Sequence, residues 1–507
     1  MKLLGIVIVF ACGGSRTPTP EVSSERAADI EWLDSLDTRY QGFARPLELA
    51  DWQRAIGEPP DDTRAAEAAK QEFHADPTLR ARLRALVTNT NPEVRLRAAA
   101  WQRFIDRDRL TADPEVARLT QQILAAADGA TGQPKAGEVL GTFILDPDAA
   151  KRAAALAVIE RRTANVLPLM AARGKRMDEL ARSLGAADAI TFSEGPDART
   201  RLDATCRDLQ ARSEPAWKLL LARAERLAKR PPTLADYGAA GIAWINDAGN
   251  FFKPEDLRRL AETGFAEMGF DVPAMKIQVV NNPNTPGGSA FAISIPDDVR
   301  FQGNFTTPGY YAGRGYFHEL GHAVHMKLVR APHLPDRMLP QDRALNEAIG
   351  EIFTLIPTDE AWLARQFPAL TPTQRQDFFA SVRGFDALGI RYNCLLAKLE
   401  LDVHAGKSAA ERWPVLYRET FGAAPPLGPA FLLLNPGYLK SPFYMRSYVY
   451  LIDVRESFIR KLGDTPLVTT DAGAFLEATL LAPGNALTLE AYLADPRDLR
   501  AWKAARR

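Results

Sequence analysis

The pattern of hydrophobic and polar positions is helical over most of the chain. From about residue 27 to residue 275, Ala, Leu, Arg and Glu recur at spacings of three and four, and Pro and Gly interrupt the pattern. Asp76-Pro77 and Asn91-Pro92 are typical helix starts, because Asp and Asn cap a helix and Pro fits its first turn. The pattern predicts one large helical domain.

The pattern changes once, between residues 275 and 305. The segments 276–280, 289–295 and 299–305 are rich in β-branched and aromatic residues, and clusters of Asn, Pro, Gly and Asp separate them. This indicates a small antiparallel β-sheet. The helical pattern then resumes and continues to the carboxyl terminus, so we expect a mainly α fold with one small β element.

The next helical pattern carries the motif His318-Glu319-Leu320-Gly321-His322. Four residues make slightly more than one helical turn, so His318 and His322 project from one face and can bind the same cation. This is the zinc-protease signature, in which two imidazoles and a carboxylate hold zinc with an open position for water. Glu319 can accept the proton of that water. The five-residue motif also arises by chance, so a third ligand is needed to distinguish a zinc site from a helix that merely carries two histidines.

A further helical pattern, beyond a proline-containing loop, supplies two acids. Glu347 follows His322 by 25 residues, and Glu351 lies one turn further along the same face. Inward-facing acids on an apolar helix are costly to bury unless they meet a cation or a charged partner. We therefore expect one Zn²⁺ on His318, His322 and Glu347, with Glu351 accepting a hydrogen bond from a ligand histidine. The alternative is a solvated acidic face.

The composition adds two constraints. Lys+Arg and Asp+Glu are equal at 63 each, which argues against a general nucleic-acid binder, because such proteins need surplus cations. The chain has only six histidines, and one of them, His325, follows the motif and is expected to pack or to line a cleft. No histidine follows His404, so a tyrosine has to be considered as hydrogen-bond donor to the oxyanion of amide hydrolysis.

Tyrosines occur at the start of a predicted helix over residues 441–462. Ser441-Pro442 is a helix start, and Tyr444 and Tyr448 follow on one face because they are four residues apart. The alternative is that these tyrosines only pack amphipathically.

Two motifs carry a resemblance to a known family. His318-Glu319-x-x-His322 followed by Glu347-Ala348-Ile349-Gly350-Glu351 resembles the angiotensin-converting enzyme family of peptidyl-dipeptidases and, slightly less closely, the thimet oligopeptidase family. The resemblance is specific from about residue 282 to residue 450. It implies a large helical, two-lobed peptidase around a deep cleft, with its domain over 27–507 and its metal site over 316–356.

The resemblance also implies substrate contacts. It assigns the strand at Ser289 and Ala290 to pairing with the substrate backbone, and it places oxyanion and carboxylate contacts at Tyr444, Tyr448 and Arg446. The tyrosine spacing fits the oligopeptidase pattern, which makes Tyr448 the oxyanion donor.

Two histidines of the family patterns are missing. Gly287-Gly288 and the stretch 436–440 stand in their places, so the cleavage register stays open, with Lys440 or Arg446 as a carboxylate partner. We expect a monomeric zinc peptidase of the peptidyl-dipeptidase or oligopeptidase type that acts on oligopeptides. The missing histidines motivate an alternative, a degenerate lipoprotein that binds peptides or zinc without turnover, although the intact Glu319 argues against it.

The amino terminus has a different pattern. Lys2 and an apolar run to Ala11 are typical of a signal peptide, and the run is too short to span a hydrocarbon core of ~30 Å. Val9-Phe10-Ala11-Cys12 resembles the lipobox of bacterial lipoproteins, which implies removal of residues 1–11, lipidation of Cys12 and a flexible tether to residue 26. We expect a lipoprotein anchored to the cell envelope, at the outer membrane or the periplasmic face, that touches the membrane only through its lipid.

Two further cysteines, Cys206 and Cys394, lie in helical patterns. We expect two buried thiols that act as small apolar groups, and a disulfide between them stays open.

Overall fold

The computed structural model describes residues 20–484, apart from 130–132, 147, 196, 284, 286, 338–342, 424, 426–439, 464 and 465. The predicted signal peptide and the lipidation site Cys12 lie outside the described residues. The first helix begins at Pro20, so the predicted tether ends before residue 26. None of the described helices is both long and apolar enough to cross a bilayer.

The fold is mainly helical, as expected. Among the described residues, eleven α-helices precede the sheet: α1 Pro20–Ala55, α2 Arg64–Ala75, α3 Pro77–Leu86, α4 Pro92–Asp108, α5 Pro114–Asp128, α6 Ala136–Leu145, α7 Ala149–Ser183, α8 Ala189–Glu194, α9 Ala198–Ala228, α10 Leu234–Ala248 and α11 Leu257–Glu267. The others follow the sheet: α12 Tyr310–Leu328, α13 Leu334–Arg337, α14 Arg343–Phe353, α15 Glu360–Gln366, α16 Pro372–His404, α17 Ala409–Phe421, α18 Lys440–Leu462 and α19 Thr470–Leu476. Short 3₁₀ turns lie at Pro254–Asp256, Pro273–Met275 and Ile356–Thr358, and a π-helical turn at Glu477–Leu481.

The predicted helix starts are confirmed by their caps. The Asp76 carboxylate accepts hydrogen bonds from the backbone N–H groups of Thr78 and Leu79, at 2.9 and 3.1 Å. Asn91 caps α4 in the same way, through Glu93 N–H at 3.0 Å. These bonds satisfy amide groups that a helix leaves unpaired at its first turn.

The three strands form a mixed sheet, so the prediction of a purely antiparallel sheet was wrong. β1 (Gln278–Asn281), β2 (Gly288–Ser294) and β3 (Asp298–Gly303) lie in the order β1-β3-β2. β3 pairs antiparallel with β2 and parallel with β1. β3 is the central strand and also the most buried of the three, with Val299 and Phe301 in the core.

Three large clusters of buried side chains form the core. One surrounds α12, α14 and the sheet, a second joins α7, α9, α10, α16 and α17, and a third packs α1 to α4 around Trp101. The helix α16 contributes to the first two clusters and to a smaller one beside α18. It therefore connects the region of the metal motif to the rest of the helical fold, while the two-lobed cleft stays a prediction.

The expectation of two free buried thiols was wrong. The structure joins Cys206 of α9 to Cys394 of α16 in a disulfide with a Cα–Cα distance of 5.7 Å. The two helices pack side by side at this point, which brings the cysteines into the range that a disulfide spans.

Candidate metal centre

The motif helix α12 and the acidic helix α14 pack closely because glycines lie between them. A Cβ on Gly350 of α14 would lie 2.6 Å from His322 Nε2, and a Cβ on Gly321 of α12 would lie 2.6 Å from the Phe353 ring. Both distances are shorter than any real Cβ contact allows. The two glycines therefore let α14 approach the imidazoles directly.

This packing brings the three predicted ligands together. His318 Nε2 lies 3.1 Å from His322 Nε2 and 3.6 Å from Glu347 Oε2. One donor atom from each of the three residues lies within 4.8 Å of the other two. A tetrahedral zinc ion with ligands at about 2.1 Å separates its donor atoms by about 3.4 Å. The donor set and its spacing thus fit one zinc ion.

The cluster is buried and acidic, and this decides the protonation of its histidines. Burial opposes charge on His318, but its hydrogen bond with Glu347 and the negative charge of Glu351 raise its pKa to about 9. Burial and the charge of His318 lower the pKa of His322 to about 4. The carboxylates around His318 therefore favour positive charge at this point, and a bound zinc ion would displace the proton of His318.

Glu351 lies on the outer side of His318, and its role in orienting that ligand stays a prediction. Its Oε1 is 3.6 Å from His318 Nδ1, and its Oε2 is 2.9 Å from the guanidinium of Arg314. Burial opposes ionisation of Glu351, but Arg314 and His318 outweigh it and lower its pKa to about 2. Arg314 also pairs with Asp386 at 2.9 Å. A line of alternating charges therefore runs from the ligand histidine to α16.

Sequence reasoning missed Arg314 and Asp386. Arg314 lies four residues before His318, so it faces the same way one turn earlier, and this spacing was the signal that could have identified it. Asp386 lies in the middle of the long helix α16, where nothing in the local pattern distinguishes it.

Glu319, the predicted general base, is buried against the first residues of β2. The backbone N–H of Ala290 donates a hydrogen bond to its carboxylate, while burial raises its pKa to about 7. A Cβ on Gly288 would lie 2.4 Å from Glu319 Cγ. The glycine that departs from the dipeptidase pattern is therefore required here, because the Glu319 side chain fills the space beside it. Ser289, by contrast, is exposed, and its hydroxyl donates to the carbonyl of Gly288.

Both predicted tyrosines line the pocket that contains His318 and Glu347, a cavity of about 430 Å³. Burial, followed by the charges of Glu347 and Glu319, raises the pKa of Tyr444 well above its usual value. For Tyr448, burial is followed by the charge of Glu351, and its hydroxyl hydrogen-bonds with Asn393 of α16. The charges that act most on Tyr444 are thus those of Glu347 and Glu319, whereas the charge that acts most on Tyr448 is that of Glu351.

Arg446 does not reach this pocket. Its Nε lies 3.0 Å from Glu194 Oε2, and its side chain lines a separate cavity of about 610 Å³. The prediction that Arg446 contacts substrate beside the tyrosines is therefore not supported, because a residue two positions away from Tyr444 and Tyr448 points to the other side of the helix. The side chain of Lys440 lies outside the described residues.

His325 packs in the core, in agreement with the expectation. It is buried, and neither ring nitrogen has a hydrogen-bond partner among the described residues. Burial lowers its pKa to about 3.

Comparisons with known proteins identify the fold. No sequence model of a protein family matches the chain, and no curated protein matches it. Two of the solved structures that do match are metallocarboxypeptidase 1 of Trypanosoma cruzi and a Pyrococcus furiosus carboxypeptidase described as Apo-Mg. The first has 14% identity and a TM-score of 0.62 over 94% of this chain and 98% of that chain. The second has 14% identity and a TM-score of 0.59 over 94% of this chain and 99% of that chain.

These matches show the fold, and they correct the family expected from the motifs. The assignment to the angiotensin-converting enzyme family, with the thimet oligopeptidase family second, was wrong, because the matching structures are named metallocarboxypeptidase and carboxypeptidase and belong to neither family. The error has a chemical reason. The spacing of two histidines and an acid reflects what a zinc ion needs, so it does not by itself distinguish one family of peptidases from another.

Proposed function

We propose that this protein is a zinc peptidase that hydrolyses oligopeptides. The observation that carries the proposal is the convergence of His318, His322 and Glu347 around one point, with a buried Glu319 beside them. The two neighbours named as carboxypeptidases support a peptidase in general. Zinc bound at this point would supply a Lewis acid that polarises the scissile carbonyl and activates water.

Glu319 is proposed as the general base. Its pKa of about 7, raised by burial, suits a group that takes a proton from water and returns it to the leaving amine. The N–H of Ala290 holds the carboxylate in place, so β2 orients the base. The backbone of the same strand remains the proposed contact for substrate, while the Ser289 side chain turns to its own strand.

Tyr444 is proposed as the donor to the oxyanion, in place of Tyr448. The acids whose charges raise the pKa of Tyr444 most are Glu347 and Glu319, which belong to the proposed reacting centre. A tyrosine whose pKa is raised stays protonated at neutral pH and can donate a hydrogen bond to developing negative charge. Tyr448 is already hydrogen-bonded with Asn393 and is proposed to hold the pocket wall behind Tyr444.

We propose release of single residues from the carboxyl end of the peptide as the cleavage register. The support is the name carboxypeptidase carried by both structural neighbours. Mass spectrometry of products from defined peptides tests this, because the loss of one residue, of a dipeptide, or of a longer fragment gives distinct masses. Loss of dipeptides or internal cleavage would contradict the register and leave zinc-dependent hydrolysis intact.

The cellular location is a separate proposal that rests on the sequence alone. The run ending in Cys12 supports a lipid-anchored protein of the bacterial cell envelope. Mass analysis of the mature amino terminus tests it: a lipid on Cys12 is expected, and a chain that starts elsewhere without lipid would contradict it.

Activity is tested by comparing the wild type with Glu319→Gln at equal zinc content. We expect kcat to fall by about 10²–10⁴, because the variant keeps the ligands and loses the base. Glu360→Gln, in the exposed first turn of α15, is the matched control and should keep full activity. A chelator should abolish wild-type cleavage. Equal rates for wild type and Glu319→Gln, or no chelator-sensitive cleavage, would instead favour a binder without turnover.

A further inference from the structure

The disulfide lies where three helices meet. Cys206 and Cys394 are fully buried, and they belong to a cluster that also contains Leu209, Leu401 and Met445. Met445 comes from α18, between the two tyrosines of the pocket. The sulfur of Met445 lies 3.7 Å from the sulfur of Cys394. The covalent link between α9 and α16 is therefore in direct contact with the helix that carries the tyrosines.

A second contact joins α16 to the same helix at the pocket itself. Asn393, the residue before Cys394, hydrogen-bonds with the hydroxyl of Tyr448. One turn earlier, a Cβ on Gly389 would lie 3.1 Å from that hydroxyl, so α16 passes directly beside it. Any shift of α16 near Cys394 would move both the partner of Tyr448 and the surface against which Met445 packs.

The metal ligands lie on other helices than the disulfide. His318 and His322 lie on α12, which packs against the sheet, and Glu347 lies on α14, which packs against both α12 and α18. The disulfide closes a loop of 188 residues between α9 and α16, elements far apart along the chain. Its loss would remove the covalent restraint on α16, against which α18 packs, while the two histidine ligands stay held by the packing of α12 on the sheet.

We propose that the Cys206–Cys394 disulfide positions the tyrosine helix α18 for catalysis, which rests on the proposed peptidase function. The bond forms when the two thiols give up two electrons and two protons to a disulfide-bonded oxidoreductase, whose own disulfide becomes a dithiol. Because both sulfurs are fully buried in the folded chain, this exchange takes place during folding. The envelope location proposed from the amino terminus supplies the oxidising compartment that such a bond needs.

The first test is the covalent state of the full-length protein made in an oxidising compartment. Peptide mapping without reduction, after alkylation of the denatured chain, should recover the two cysteines joined. Recovery of both as alkylated thiols would overturn the proposal.

The second test compares the wild type with Cys206→Ala/Cys394→Ala and, to keep the cluster filled, Cys206→Val/Cys394→Ala. We expect kcat to fall about tenfold in both, with zinc content and KM little changed, because a displaced catalytic group lowers turnover more than binding. Met445→Leu, which keeps the disulfide and the volume, should keep kcat within about twofold. Unchanged kcat in both double variants, or a fall that follows loss of zinc, would overturn the positioning role.

Hydrogen exchange gives a readout that does not need activity. Amides of α18 should exchange faster in the double variants, whereas those of α12, which packs against the sheet, should stay as protected as in the wild type. Uniform loss of protection would mean that the bond only stabilises the fold. A wild type without chelator-sensitive cleavage would overturn the peptidase proposal, and the exchange pattern would still decide whether the disulfide holds α18.

Discussion

The centre of the motif helix α12 and its last turn hold histidines in opposite surroundings. His318 and His325 are seven residues apart, so they lie on nearly the same face, two turns from each other. At His318, burial is outweighed by a hydrogen bond with Glu347 and by the charge of Glu351, and the pKa rises to about 9. At His325, burial lowers the pKa to about 3, and the ring has no hydrogen-bond partner among the described residues.

This difference teaches what makes a buried histidine a metal ligand. Burial is common to both, so it cannot be the cause. The carboxylates of α14 contact His318 at the centre of α12, and the pair Arg314 and Asp386 holds one of those carboxylates in place. The acid-rich centre of α12 is therefore suited to a cation, and its last turn is suited to packing.

The largest effect expected around the acid-rich centre of α12 is on turnover. Tyr444→Phe removes the proposed donor to the oxyanion, and we expect kcat to fall about 10²-fold with KM little changed. Tyr448→Phe should cost about tenfold or less, because its hydroxyl acts only through its neighbours. Steady-state kinetics on one peptide checks both. A larger loss for Tyr448→Phe would restore Tyr448 as the donor, as the sequence spacing first indicated.

The next effect concerns metal affinity. Arg314→Met leaves Glu351 and Asp386 as buried acids without their cation, so Glu351 should become protonated and orient His318 less well. We expect zinc to bind about 10–100-fold more weakly, measured by competition with a chelator. Arg258→Met, which removes an exposed arginine of α11, is the control and should leave affinity unchanged. Equal affinity in Arg314→Met would show that the charge line beyond His318 has no part in metal binding.

The smallest expected effect is on stability, at His325 in the last turn of α12. The unfolded chain protonates His325 near pH 6.5, whereas the folded chain does so only at about pH 3, so wild-type stability falls as pH drops between these values. His325→Leu removes this loss. Its free energy of unfolding relative to wild type should be about 2 kcal/mol more favourable at pH 5 than at pH 7.5. Urea unfolding at both pH values measures this, and a difference independent of pH would contradict the environment assigned to His325.

The metal ligands on α12 could be predicted from the sequence because the pattern that identifies them is local. The spacing of His318 and His322, and the two acids on the apolar helix α14, follow from helical periodicity alone. The same holds for the helix starts at Asp76 and Asn91, which depend on neighbouring residues.

What could not be predicted depends on contacts between distant segments. Asp386 meets Arg314, and Cys206 meets Cys394, only because α16 passes beside both α12 and α9. The order of the strands is likewise decided by burial of β3 in the final fold. Arg446 lies two residues from each tyrosine, and the helical angle between them explains why its side chain pairs with Glu194 instead of lining the tyrosine pocket.

The central claim is that α12 binds one zinc ion at its centre, through His318 and His322, and none through His325 in its last turn. Metal analysis of the purified wild type, His322→Ala and His325→Ala, each checked for an intact fold by circular dichroism, tests it most directly. We expect one zinc per chain in the wild type and in His325→Ala, and almost none in His322→Ala. Full zinc content in His322→Ala, or loss of zinc in a folded His325→Ala, would contradict the account.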